Sequence, residues 1–259
     1  MESIDTKIIA VSTFKSTDNL GDCVSSPLHY FDYPNVEHWE SKVAVHGMLP
    51  TRAAAYIFGG GAITGRVGSI VSPGQLDGPK VAWGLGRSKK AGERYCRDTP
   101  LTAFDRDRTF FTLVGTRDVN IKGAEWVPCA SCMSPLFDQD YEIEHEVAWY
   151  LNSRKPPKLD VPVMTNRAHS LDEAISFLGS AATIMTDSYH GAYWATLLGR
   201  RAVITRPYSS KLYQYKHQPA IACFACDTMS ESRVFPEALA ECREANVQFD
   251  AKVREVIGL

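Results

Sequence analysis

Apolar residues along this chain gather in short runs that close on Gly, Ser, Asp or Asn, and several runs are followed by segments of helical periodicity. The runs at 7–14, 55–58, 80–83, 110–114, 147–151, 161–165, 183–185 and 202–205 predict β-strands. Most lack strict alternation, as strands covered on both faces do. From 161 onward the order is strand, helix (171–178), strand, helix (192–198), strand, which is the pattern of right-handed crossover units on a parallel sheet. Ser170 stands just ahead of the first of these helices with Glu173 three residues on, so a capping box is expected there. Two further helices, 236–245 and 247–256, are expected to finish the chain. The fold class these elements define is α/β.

Size and charge narrow the picture. A chain of 259 residues with 44% apolar content buries a substantial core and fits two modest lobes better than one compact unit. The stretch between Pro135 and Tyr141 is the natural boundary, dividing a lobe of residues 1–139 from a second of residues 140–259 that includes the terminal helices. Lys155-Pro156-Pro157-Lys158 reads as a surface loop inside the second lobe. With 28 basic and 30 acidic residues, no general field draws the protein to nucleic acid or anionic lipid, so an anionic ligand must be met locally. No apolar stretch approaches the roughly 18 to 20 residues of a membrane helix, and residues 1–16 do not read as a secretory signal. Seven cysteines, an odd number at low density, fit a reducing cytoplasm.

In open parallel sheets ligands bind beyond the carboxyl ends of the strands, so the residues that follow each strand carry the candidate chemistry. The first strand runs into a turn-rich segment containing Asn19, Gly21 and Asp22, which either offers backbone N–H groups at a helix start or is an ordinary turn and N-cap. Gly59, Gly60 and Gly61 follow the second run and either permit close approach of a ligand or another strand or form a tight turn without a ligand. Two later strands lead to Gly86-Arg87 and to Arg117-Asp118. There Arg117 is suited to grip a carboxylate or phosphate through its planar fork, or else to pair structurally with Asp118.

The segment Thr186-Asp187-Ser188-Tyr189-His190-Gly191 carries the strongest candidate. An imidazole at a helix N-terminus is held neutral by the dipole and can accept a proton; an anion bound beside it favours the imidazolium, which can donate one. Gly191 is expected to leave open space around His190, and Trp194, Leu197 and Leu198 to pack in the core. Arg206 and Lys211, after the next strand, are expected to bring positive charge to the same rim. Two CxxC pairs, Cys129/Cys132 and Cys223/Cys226, are about ninety residues apart. That is far from zinc-ribbon spacing, so buried small residues are favoured over a metal site or a redox pair.

In order along nearly the whole chain, Asn19-Leu20-Gly21-Asp22, Gly59-Gly60-Gly61, Trp83-Gly84-Leu85-Gly86, Val114-Gly115-Thr116-Arg117-Asp118, Trp126-Val127-Pro128-Cys129, Asp187-Ser188-Tyr189-His190-Gly191 and Ser209-Ser210-Lys211 resemble the polysaccharide pyruvyl transferase family. The resemblance implies a GT-B-like pair of Rossmann-like lobes with parallel sheets and an active site in the interlobe cleft. It implies phosphoenolpyruvate as donor and a sugar of a surface glycan or its lipid-linked precursor as acceptor, with a pyruvate ketal formed and phosphate released. Neither a metal nor a further cofactor is implied. Location would be cytoplasmic, with at most peripheral contact at the inner face of the cell membrane.

The family's catalytic histidine maps onto His190, as acid or as base, and donor charge would be met by Arg117 and Lys211, then Arg206. Ser188 and Gly191 flank the histidine. Where members carry a basic residue two places before it, this chain has Ser188, so Arg206 or Arg87 would have to compensate or the donor would differ. A GT-B glycosyltransferase using a nucleotide sugar, with Glu231 or Glu237 on the ribose, and a non-catalytic glycan-binding subunit are the alternatives.

Overall fold

The computed structural model of the protein describes residues 6–12, 18–40, 49–61, 76–88, 110–119, 121–152, 158–222 and 231–259. Two parallel sheets organise them, as in Rossmann-like α/β folds. The first comprises β1 (Ile8–Ser12), β2 (Val36–Glu40), β3 (Ala55–Gly59), β4 (Lys80–Leu85), β5 (Leu113–Thr116) and β6 (Glu125–Trp126), in the order β2-β1-β3-β4-β5-β6. The second comprises β7 (His145–Leu151), β8 (Val163–Thr165), β9 (Ala181–Thr186), β10 (Arg201–Ile204) and β11 (Ala220–Ile221), in the order β11-β10-β9-β7-β8. Every pairing in both sheets is parallel.

The central strands are buried on both faces, which explains why their sequences do not alternate: all five residues of β3 are buried, as are five of the six in β4. Edge strand β2, by contrast, is Val-Glu-His-Trp-Glu and only half buried. No apolar run marks it in the sequence. Register slips between Ala82 and Leu85 where β4 meets β5, and Gly84 takes a φ of +63° there, a conformation open to glycine at little cost.

Four α-helices are described: α1 (Leu20–Cys23), α2 (Leu171–Gly179), α3 (Tyr189–Leu197) and α4 (Ala238–Ile257). At the head of α2, Ser170 Oγ accepts from Glu173 N at 3.1 Å, as a capping box requires. The Glu173 carboxylate returns to His169 N at 2.7 Å, one residue before the cap. Every residue of α3 is buried, so this helix has no solvent-exposed face.

The chain ends in a single continuous helix, α4, where two were expected. Asn246, the residue read as the break, lies inside it fully buried, with Nδ2 donating to Cys242 O at 3.0 Å and Oδ1 accepting from Trp83 Nε1 at 2.9 Å. Its polar groups are satisfied by the helix and by β4, so the residue has no reason to end the helix. Although α4 follows the second sheet in the chain, its Phe249 and Val253 join Ile8, Tyr33, Ile57, Val81, Trp83 and Val127 in a core on one face of the first sheet. The 135–141 stretch between the sheets is pinned by Arg243 of the same helix, which reaches Asp138 Oδ1 at 2.6 Å and Ser134 O at 3.0 Å.

Candidate active site at the strand ends

Loops from the carboxyl ends of the two sheets touch one another. Leu20 N donates to Asn166 O at 2.9 Å, Asp18 pairs with Arg167, Val119 N donates to Gln214 O at 3.3 Å, and the hydroxyls of Ser88 and Ser209 lie 2.7 Å apart. Asp22 from the loop after β1, Arg87 after β4, Arg117 and Asp118 after β5, His190 after β9 and Lys211 after β10 gather around these contacts.

His190 sits in the first turn of α3, and its place is set locally. Ser188 caps the helix, accepting from Gly191 N at 3.3 Å, and Ser188 N donates to Thr186 Oγ1 at 2.9 Å. The imidazole is 4% exposed. Burial lowers its pKa well below the ordinary value, and the positive charges of Arg117 and Lys211 push the same way, so the ring is neutral. Its Nε2 lies 3.6 Å from Cys129 Sγ, while its Nδ1 edge lies against Gly21.

Arg117 is 3% exposed, and its guanidinium carbon stands 3.8 Å above the Tyr189 ring. Tyr189 stacks in turn on Tyr215, with centroids 4.7 Å apart and planes 11° apart. This cation–π contact sets the buried guanidinium against an aromatic surface. Among the described residues Arg117 Nε has no hydrogen-bond partner. Gly86 makes room for the side chain, since a Cβ there would meet Nε at 2.2 Å.

Asp118 does not close a hydrogen-bonded pair with its neighbour. Its Oδ2 accepts from Arg87 N at 2.7 Å, and its Oδ1 is buried without a partner. Burial pushes its pKa up to about 6 against the opposing pull of Arg117, Arg87 and Lys211. Burial also raises Asp22, again opposed by Arg117 and Lys211 and by the hydrogen bond from Asn19 Nδ2 at 3.0 Å. Lys211 is pushed down to about 8, first by burial and then by Arg117, with Asp22, Asp187 and Asp118 opposing. Two cations and two carboxylates thus share a poorly solvated space.

Of the residues singled out from sequence, Asp22, Arg117, His190 and Lys211 come together electrostatically, and Asn19, Gly21 and Ser188 support them. Arg87 joins through its backbone N–H, and its own Nε and Nη1 are buried without partners. Arg206 is exposed, whereas Lys211 is partly buried.

Gly191 corrects the reading made of it. A Cβ there would lie 2.6 Å from both Thr186 Oγ1 and Tyr150 Cδ1, so the glycine lets α3 start hard against β7 and β9 and opens no space. Gly59 and Gly60 likewise serve the protein's own packing, against Pro27 Cδ and Ser25 Oγ, each 2.2 Å from the added Cβ. Gly60 and Gly61 take φ values of +81° and +77°, and Gly61 O accepts from Gly86 N at 3.1 Å.

Cys129 and Cys132 are buried, whereas Cys223, Cys226 and residues 153–157 lie outside the described residues. Glu231 and Glu237 are exposed, and Glu237 lines a surface pocket with Lys216, His217, Arg233 and Phe235.

Sequence reasoning missed the Tyr189–Tyr215 support beneath Arg117 and the contact of Cys129 with His190, because both join segments distant in the chain. The sequence singled out Cys129 only as a member of a CxxC pair and of the Trp126–Cys129 segment, without a link to His190. No helix among the described residues is long and apolar enough to cross a membrane. No protein-family model matches the chain, and no curated protein matches it.

Proposed function

We propose that the protein is a transferase that moves pyruvate from phosphoenolpyruvate onto two hydroxyls of a sugar, forming a ketal and releasing phosphate. The observation that carries this reading is the grouping of Arg117, Lys211 and His190 at the strand ends, with a buried guanidinium Nε that no group among the described residues satisfies. Such a nitrogen is costly unless an anion meets it. Phosphoenolpyruvate offers a phosphate and a carboxylate together. The two sheets would form the GT-B-like lobes, with the substrates between them, and the acceptor would be a surface glycan or its lipid-linked precursor reached from the cytoplasmic side of the membrane.

The residues suit the chemistry. A proton added to the donor's methylene leaves a cationic carbon that the first sugar hydroxyl attacks, losing its own proton. Departure of phosphate with its C–O bond pair regenerates an oxocarbenium-like centre, and the second hydroxyl closes the ketal, losing a second proton. Of the two protons released, one balances that added to the methylene and the other leaves on phosphate. His190 is the group set to exchange these protons. Neutral in the empty site, it regains a proton more readily once donor charge offsets Arg117 and Lys211. Arg117 and Lys211 would hold the donor, with Arg87 in place of the basic residue absent at Ser188.

Purified protein is expected to release phosphate from phosphoenolpyruvate only with a suitable glycan present, and mass spectrometry of lipid-linked glycans to find the added pyruvate. His190→Ala is expected to abolish release while circular dichroism stays that of the wild type. Undiminished turnover in that variant would remove His190 from the mechanism.

A further inference from the structure

His190 lies at the end of a buried polar chain. Trp194 Nε1 donates to Ser131 Oγ at 3.0 Å, Ser131 Oγ lies 3.2 Å from Cys129 Sγ, and Cys129 Sγ lies 3.6 Å from His190 Nε2. Trp194 and Ser131 are fully buried, Cys129 is 1% exposed and His190 4%, so bulk water does not compete along the chain.

The first link has a fixed direction because an indole N–H only donates. Ser131 Oγ receives that bond and is free to pass its own proton to Cys129 Sγ. The thiol proton is then directed at His190 Nε2. Burial raises the Cys129 thiol, which keeps it protonated and able to donate, and the neutral imidazole can accept at one nitrogen only. The ring proton is left to the other nitrogen, Nδ1. That nitrogen lies on the edge facing Gly21, where an added Cβ would come within 2.0 Å of it, beside Asp22. Tyr193 fixes the near end of the chain by donating to Cys129 O at 2.9 Å.

We propose that Cys129 is a positioning residue that occupies Nε2 of His190 through the Trp194–Ser131–Cys129 chain, so that Nδ1 carries the resting proton and presents it to substrate as an N–H donor. The second half of this statement rests on the pyruvyl-transfer reading; the first half does not. A thiol both donates and accepts, so the Cys129 contact at Nε2 is compatible with either protonation state of that nitrogen. The ring orientation is therefore the same for the imidazole and the imidazolium. This gives the buried cysteine a task that neither metal binding nor disulfide formation supplies.

Nitrogen-15 NMR of the ligand-free protein, with His190 assigned by loss of its signals in His190→Ala, reads the tautomer directly. Nδ1 is expected in the protonated range and Nε2 in the acceptor range; the opposite pattern overturns the proposal. Cys129→Ser keeps a donor and is expected to preserve the pattern, while Cys129→Ala is expected to lose it with the fold intact by circular dichroism. Should Cys129→Ala not fold, Ser131→Ala is read in its place, and an unchanged tautomer there overturns the directed chain. In turnover, Cys129→Ala is expected to lower kcat roughly tenfold to a hundredfold, the range for a misplaced catalytic group, with KM for phosphoenolpyruvate unchanged. Absence of any turnover in the wild type would overturn the enzyme reading and leave the NMR result standing on its own.

Discussion

Gly21 in α1 and His190 in α3 follow strands of different sheets and share one space: a Cβ on Gly21 would sit 2.0 Å from His190 Nδ1 and 2.4 Å from its Cγ. All three of the nearest atoms belong to the imidazole. The glycine thus acts as a gauge for the ring's position, and the two residues are coupled without a hydrogen bond between them.

Gly21→Ala is therefore expected to displace the ring. Overpacking of this kind costs about 1 to 3 kcal/mol, measured by urea unfolding, and phosphate release should fall further than stability does. In a His190→Ala background the clash is gone, and the same substitution should cost less than about 0.5 kcal/mol. An equal cost in both backgrounds would mean that the ring does not set the fit.

Lys211 gives the site a pH limit. Its folded pKa is about 8 against an ordinary 10.5, so the folded protein releases this proton before the unfolded chain does. The burial penalty of the ammonium is thus fully present below about pH 8 and relieved as pH rises toward 10.5. Binding runs the other way, because an anion needs the charged form. Affinity for phosphoenolpyruvate by titration calorimetry should weaken as pH rises through and beyond about 8, by roughly tenfold, the worth of one charged hydrogen bond. Lys211→Met should bind weakly throughout and lack this limb.

Asn246 gives a test away from the site. Asn246→Leu leaves the fully buried Trp83 indole N–H without its acceptor, which costs about 1 to 3 kcal/mol for an unsatisfied buried donor. Urea unfolding followed by tryptophan fluorescence reads the loss. An unchanged midpoint would mean that the indole finds another acceptor.

The strands most easily read from sequence are those buried on both faces: β3, β4, β9 and β10 lie within a residue or two of their apolar runs. Edge strand β2 escaped notice because Glu37, His38 and Glu40 are tolerated only where one side of the strand meets water. Periodicity placed α2 and α3 but divided α4 at Asn246, since propensity cannot reveal that a polar side chain has found partners on β4 and within its own helix. At the site, residue chemistry made His190, Arg117 and Lys211 legible. Their environment was not. Gly191 looked like an opening because a glycine's neighbours lie elsewhere in the chain, here at Tyr150 and Thr186. Likewise the aromatic floor under Arg117 needs Tyr215 from beyond β10.

The return of α4 onto the first sheet bears on the order in which the protein is made. Phe249 and Val253 complete a core whose other members are drawn from residues 8 to 127. During synthesis the first sheet therefore leaves the ribosome well before these packing partners, and the face that carries Trp83 and Ile57 stays incompletely covered until α4 emerges. Apolar surface left exposed in that interval is prone to aggregation. A cut near residue 139 should accordingly yield a first fragment that stays aggregation-prone until residues 238–257 are added back.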